Sequence, residues 1–100
     1  MLDEKNKNFA LDTGASGGIG REIAKILLEK SYDLLLVARA LEKLEAIRAE
    51  FNSVASKQTV TVLQADLSRK ASSKMIFDFA NNKNMTIEIL VNNAGAGTSD

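Results

Sequence analysis

Short apolar runs alternate with segments of helical period along most of this chain of 100 residues. We predict strands at 9–11, 34–38, 59–64 and 87–91, and helices at 18–30, at 41–54 and after Ser68. Strands that alternate with helices at this spacing form parallel sheets with right-handed crossovers. The predicted fold class is therefore α/β, with the order β-α-β-α-β-α-β, which is half of a doubly wound, three-layer αβα fold.

The first predicted helix has apolar residues at positions i, i+4, i+7 and i+8, namely Ile19, Ile23, Ile26 and Leu27. Residues with this spacing share one face of a helix, so we expect them to be buried. In the second strand, 34–38 is continuously apolar, which is typical of a strand covered on both faces.

The composition excludes several chemistries. The sequence has no Cys and no His, which excludes disulfides, thiolate or imidazole metal ligands and a Ser-His-Asp triad. We expect no metal site. Lys plus Arg and Asp plus Glu are 13 each, so no net charge attracts nucleic acid or anionic membranes. The chain has neither a signal-like leader nor an apolar run long enough to cross a membrane, and we expect a cytoplasmic location.

The strongest chemical signal is the segment Thr13-Gly14-Ala15-Ser16-Gly17-Gly18-Ile19-Gly20, between the first strand and the first helix. Glycine permits a tight turn and lets the backbone approach a phosphate closely. The helix that follows offers unpaired N–H groups and the positive end of its dipole. This is where a Rossmann-like fold binds a dinucleotide pyrophosphate. The alternative is a tight connection that binds nothing.

Arg39 ends the second strand, about 20 residues after the glycine turn, where a dinucleotide-binding fold contacts the adenine-side ribose. An acidic residue there holds a ribose 2′-hydroxyl, whereas an arginine accepts a 2′-phosphate. Arg39 therefore favours NADP over NAD. The alternative is a solvated arginine at a strand end.

Four motifs occur in order: Thr13-Gly14-x-x-x-Gly18-x-Gly20, Leu36-Val37-Ala38-Arg39, Ala65-Asp66-Leu67-Ser68 and Asn92-Asn93-Ala94-Gly95. Together they resemble the short-chain dehydrogenase/reductase family over most of the chain. The resemblance implies a polar tail at 1–8, a partial NAD(P)-binding Rossmann domain at 9–100 and a fold truncated after the fourth strand.

The resemblance also implies roles for individual residues. The cofactor-binding residues would be Gly14, Ser16, Gly18, Ile19, Gly20, Arg39, Asp66, Leu67, Asn93, Ala94 and Gly95. Asp66 and the Leu67 backbone would face the adenine, whereas Asn92 would mainly brace neighbouring strands. The alternatives are that Asp66 is only a turn residue and that the asparagines only end a strand.

In the family that this chain resembles, the active site is formed by a Ser and a Tyr-x-x-x-Lys pair later in the chain. This sequence stops at Asp100, before the positions where those residues would stand. The one tyrosine, Tyr32, has Leu36 four residues on, and we interpret it as a packing residue. We therefore expect no catalytic residue here. The expected function is the cofactor-binding portion of an NADP-dependent oxidoreductase with carbonyl or alcohol substrates. The alternatives are a non-catalytic nucleotide-binding module and a structural fragment.

Three local features carry further expectations. Asp12 stands in the central first strand, where an unpaired carboxylate is costly or has a raised pKa. Ser31 follows the first helix, where Gly takes the left-handed cap more easily. The fourth strand would be an exposed apolar edge, which favours self-association.

Overall fold

The predicted alternation of strands and helices is confirmed in a computed structural model, which describes residues 7–14, 17–55 and 57–92. In chain order the elements are β1 (Lys7–Thr13), α1 (Gly18–Glu29), β2 (Asp33–Ala38), α2 (Leu41–Val54), β3 (Val60–Gln64), α3 (Ala71–Asn82) and β4 (Met85–Asn92). The first strand begins two residues before the predicted start at Phe9.

The four strands form one parallel sheet in the order β3-β2-β1-β4. The chain therefore moves outward from β1 through β2 to β3 and then returns, through α3, to the other side of β1. In a parallel sheet all carboxyl ends lie at one edge, so the described residues that follow β1, β2 and β3 lie there together with the end of β4. The α/β fold class is confirmed.

Two hydrophobic cores lie on opposite faces of the sheet. The face towards α1 and α2 buries Ala10, Leu34 and Leu36 with apolar residues of both helices. The opposite face buries Phe9, Leu11, Leu35 and Val37 with residues of α3. The second strand is buried from Leu34 to Ala38, as its continuous apolar run predicts. The three-layer αβα arrangement follows.

The predicted buried face of α1 is wrong for Ile19 and Ile26, whereas Ile23 and Leu27 are half-buried. Ile19 is 70% exposed and Ile26 is 50% exposed, whereas Gly20, Ala24 and Leu28 are buried. The buried residues are spaced by four, and the two that lack a large side chain let the helix approach the sheet closely. A pattern counted on large apolar residues misses such a face.

The edge strand β4 contains a bulge. Phe9 pairs with Ile87 and Ala10 pairs with Ile89, so Glu88 is an extra residue on β4. Because side chains alternate along a strand, the extra residue changes which face the next side chains use. Ile87 packs on the α3 side and Ile89 on the α1 side. Leu90 is left 55% exposed.

Asp12 is completely buried in β1 between Leu36 of β2 and Val91 of β4. Neither carboxylate oxygen has a hydrogen-bond partner in the described part of the chain. Burial raises the pKa of Asp12 from 3.8 to about 7, since desolvation disfavours the charged form. The structure therefore shows the buried, unpaired carboxyl that the sequence predicts, which is unfavourable for the free energy of folding.

The connection between α1 and β2 contains Ser31 with a φ of +76°, which confirms the left-handed position expected there. Tyr32 packs beside the core, as expected of a packing residue. Its connection lies at the amino end of β2, at the opposite edge of the sheet from Arg39.

Across 7–14, 17–55 and 57–92, no helix has both the length and the apolar character required to cross a membrane. The same residues bring together no group of acidic side chains that could hold a metal ion.

Candidate cofactor-binding site

The turn after β1 has a backbone conformation that suits glycine. Gly14 has a φ of +83°, a region that residues with a Cβ rarely adopt. Its N–H donates to the Val37 carbonyl over 2.9 Å, and its own carbonyl accepts the Gly17 N–H over 3.0 Å. The chain thus leaves β1 in a tight turn that ends directly at α1.

Among the described residues, no side chain caps the amino end of α1. Gly17 is the N-cap residue, and it has no side chain that could accept the first N–H groups of the helix. The first turn holds no acidic residue. A Cβ placed on Gly18 would meet no atom within 4 Å. An anion there would receive hydrogen bonds from these N–H groups and the positive end of the helix dipole.

The carboxyl ends of β1 and β4 are joined by side chains. The Thr13 hydroxyl donates to Asn92 Oδ1 over 3.2 Å and lies 3.3 Å from the Val91 carbonyl oxygen. The glycine turn therefore lies beside the start of the Asn-Asn-Ala-Gly segment. Asn92 braces the two strands, as its predicted role requires.

Arg39 lies exposed just after β2. Its carbonyl accepts a hydrogen bond of 2.9 Å from the Gln64 side chain at the end of β3. The Ala65 N–H also donates to the Ala38 carbonyl over 3.0 Å. The backbones that follow β2 and β3 are thereby held side by side.

Asp66 forms a turn between β3 and α3. Its carboxylate accepts the Ser68 hydroxyl over 2.7 Å and the Ser68 N–H over 3.0 Å. These bonds, with smaller contributions from Arg39 and Arg69, lower the pKa of the Asp66 carboxyl. Asp66 therefore has the turn role that the sequence allowed. Its Oδ1 takes both bonds, which leaves Oδ2 without a hydrogen bond to any described residue.

An open groove of about 550 Å³ lies at this edge of the sheet. It is lined by Arg39, Gln64, Ala65, Asp66, Arg69, Ala71, Ser72 and Met75. The lining combines alanine and methionine side chains with the charged groups of Arg39, Asp66 and Arg69. A purine and a ribose phosphate have that combination of surfaces.

The structure brings together only some of the predicted site residues. Gly14 and Gly18 lie at the turn, Ile19 points outward beside it, and Gly20 is buried in α1. Arg39 and Asp66 line the groove, whereas the Leu67 side chain packs beside the core on the α3 side. Ser16, Asn93, Ala94 and Gly95 lie outside the described residues.

Sequence reasoning missed three groove residues, Gln64, Arg69 and Ser72. Ser72 donates its hydroxyl to the Asp66 carbonyl, and Gln64 holds the Arg39 backbone. Arg69 could have been found from its position three residues after Asp66, because that spacing keeps it in the same turn.

Comparison with known proteins agrees with this geometry. A family model described as short chain dehydrogenase matches residues 8–100. Dehydrogenase/reductase SDR family member 11 of Bos taurus is 32% identical over 99 residues. The matched region is 99% of this chain and 39% of the bovine protein, so the chain spans well under half of that relative.

Two solved structures share the fold. YwfH, an NADPH-dependent reductase involved in bacilysin biosynthesis, matches with a TM-score of 0.85 at 29% identity, over 94% of this chain and 37% of that protein. A short-chain dehydrogenase from Sphingobium yanoikuyae, in complex with NADPH, matches with a TM-score of 0.77 at 36% identity, over 94% of this chain and 36% of that protein. With the strand order, the glycine turn and the family match in agreement, this chain belongs to the short-chain dehydrogenase/reductase family.

Proposed function

We propose that this chain is the NADP-binding portion of an oxidoreductase with small carbonyl or alcohol substrates. One observation carries the proposal: the uncapped amino end of α1 and the groove that holds Arg39 and Asp66 lie at the same edge of the sheet. A dinucleotide needs both surfaces, one for its pyrophosphate and one for its adenosine. Two structural relatives, an NADPH-dependent reductase and a dehydrogenase in complex with NADPH, support this cofactor class.

The chain's own residues fit the parts of NADP. The N–H groups at Gly18 and Ile19 would hold the pyrophosphate. Arg39 would pair with the 2′-phosphate, because a guanidinium matches phosphate oxygens with two parallel donors. Asp66 would accept a hydrogen bond from the adenine amino group at its vacant Oδ2. The bound cofactor would supply the hydride.

The proposal assigns no catalysis to these residues alone. The sequence has no His and no Cys, and its single tyrosine, Tyr32, packs beside the core away from the groove. Asp66 would face the adenine, far from the reacting carbon. The proton carrier of the whole enzyme would therefore be a residue that this chain does not contain. A cytoplasmic location stays a prediction.

Titration of the chain with NADPH, followed by the cofactor's fluorescence, tests the proposal. We expect saturable binding. We expect Arg39→Asp to weaken the binding of NADPH much more than the binding of NADH. Lys57→Asp is the matched control, since it makes the same charge change in the connection before β3, at the opposite edge of the sheet. Equal losses for both cofactors in Arg39→Asp would remove the 2′-phosphate role. No saturable binding by the unaltered chain would remove the proposed function.

We also propose that isolated copies of this chain self-associate through β4. This strand is the sheet edge in the described structure, and it exposes Leu90 by 55%. Unpaired strand edges with exposed apolar residues pair readily with other chains. Light scattering should give a mass that rises with concentration, and Leu90→Lys should reduce it more than Phe77→Lys on α3. A concentration-independent monomer mass would refute this.

A further inference from the structure

The groove contains a second guanidinium besides that of Arg39. Arg39 follows β2, and Arg69 follows β3 in the turn that Asp66 begins. Both side chains act on the same carboxylate, since each contributes to the lowered pKa of Asp66. Three charged groups from two connections therefore share one small volume.

The balance of charge in this groove depends on Arg69. One carboxylate, Asp66, offsets one of the two cations. With Arg39 alone, the groove would be neutral overall and would give a phosphate dianion no net attraction. With Arg69, it has one surplus positive charge, although the whole chain is neutral.

Both arginines remain available to an anion in the described structure. No carboxylate among residues 7–14, 17–55 and 57–92 lies within ion-pair distance of either guanidinium. The other two arginines, Arg21 and Arg48, do have such partners in Glu50 and Glu45. An unpaired guanidinium is free to form a charge-assisted hydrogen bond with a phosphate.

The backbone at Arg69 is fixed beside the groove. Its N–H donates to the Asp66 carbonyl over 3.1 Å, and its own carbonyl accepts the Ser72 N–H over 3.1 Å. The backbone at Arg39 is likewise held by Gln64. The two side chains therefore start from fixed points on either side of the groove, which lowers the entropy lost when both contact one anion.

We propose that Arg69 is a second specificity-determining residue of the NADP site, contacting the 2′-phosphate together with Arg39. This inference rests on the proposed function, because it assumes that an adenosine phosphate occupies the groove. It adds that discrimination between NADP and NAD depends on two arginines from two different connections.

Calorimetric titration with adenosine 2′,5′-bisphosphate and with 5′-AMP tests this role without any catalysis. We expect Arg69→Ala to lower the affinity for the bisphosphate about tenfold, which is the usual effect of losing one hydrogen bond to a charged group. Binding of 5′-AMP should change by less than about twofold, because that ligand lacks the 2′-phosphate. Arg69→Lys should retain part of the preference, since it keeps the charge and loses the fork of donors.

The matched control is Lys70→Ala. Lys70 is adjacent to Arg69, carries the same charge and does not line the groove. If the effect came only from the general field of the segment, both variants would weaken the bisphosphate equally, and the specific role of Arg69 would be refuted. Equal weakening of 5′-AMP and the bisphosphate in Arg69→Ala would refute it as well.

The outcomes separate this inference from the proposed function. If the unaltered chain and Arg69→Ala bind NADPH with equal affinity, the proposed function stands and the role of Arg69 is wrong. If the unaltered chain binds neither NADPH nor the bisphosphate, the proposed function fails and the inference fails with it. Circular dichroism of each variant confirms that affinities are compared between folded chains.

Discussion

The Thr13 hydroxyl donates to Asn92 Oδ1 over 3.2 Å, and this contact ties the glycine turn to the end of β4. The residues are 79 positions apart in sequence. Both belong to motifs that the sequence indicates independently, so the hydrogen bond links two parts of one ligand-binding edge.

Thr13→Val removes this hydroxyl with little change of shape. We expect a loss of about 1 kcal/mol in the free energy of unfolding, the usual net value of one hydrogen bond. Urea denaturation followed by circular dichroism measures it. In a chain that already carries Asn92→Ala, Thr13→Val should lower the free energy of unfolding by less, because one acceptor of the hydroxyl is already absent. Thr61→Val on β3 is the control, because the Thr61 hydroxyl donates no hydrogen bond to any described residue. A loss as large as that in Thr13→Val would contradict this account.

Asp12→Val should stabilise the folded chain. It replaces a fully buried carboxyl that has no partner in the described structure. We expect a gain on the order of 3 kcal/mol at neutral pH, since an unpaired buried polar group is costly. Asp12→Asn should gain less because its amide stays unsatisfied. A fall in the unfolding free energy of Asp12→Val would contradict a destabilising effect of the buried carboxyl.

The same residue predicts how stability depends on pH. Burial raises the pKa of Asp12 from 3.8 to about 7, so the unfolded chain loses this proton at lower pH than the folded chain. Stability therefore falls as pH rises from about 4 to about 7 and then levels, by about 4 kcal/mol in total. Denaturation midpoints across this range should follow that curve, and Asp12→Asn should flatten it. If Asp12→Asn showed the same change of stability with pH, the pH dependence would have to come from another group.

Asp66 contributes in the opposite direction and at lower pH. Its pKa is lowered, chiefly by the Ser68 hydroxyl and N–H. The stability that it gives is present above the ordinary carboxyl range and is lost as pH falls below it. The two effects therefore occupy separate parts of the titration.

Ser31→Gly should also stabilise the fold. Ser31 has a φ of +76°, and the left-handed region costs a residue with a Cβ about 1 kcal/mol relative to glycine. We expect a rise of that size in the free energy of unfolding, measured by thermal or urea denaturation. Ser73→Gly is the matched control, because Ser73 lies exposed within α3 and glycine there should destabilise. Equal signs in the two variants would contradict the explanation.

The sequence predicts the fold well because each strand and helix has its own local signal. The apolar run of β2 and the helical spacing of α2 do not depend on tertiary contacts. The buried face of α1 is different. Gly20 and Ala24 lie on that face, and a pattern counted on large apolar residues misses them because their side chains are small. The bulge at Glu88 is also invisible in sequence, because it depends on how β4 pairs with Phe9 and Ala10.

The candidate site is predicted in part for a similar reason. Gly14 and Arg39 stand at element boundaries, where residue type and position are both informative. Arg69 has no such signal of its own, because its place in the groove depends on the Asp66 turn and on the start of α3. Pairing across the sheet brings those segments beside the end of β2.

The strand order has a consequence for synthesis. The inner strand β1 gains its partner β2 early, but its other partner, β4, is the last of the described strands to be translated. Until β4 emerges from the ribosome, one side of β1 has unpaired backbone groups, and the nascent chain is open to wrong pairing. Chaperone dependence should therefore be greatest for nascent chains that end between β3 and β4.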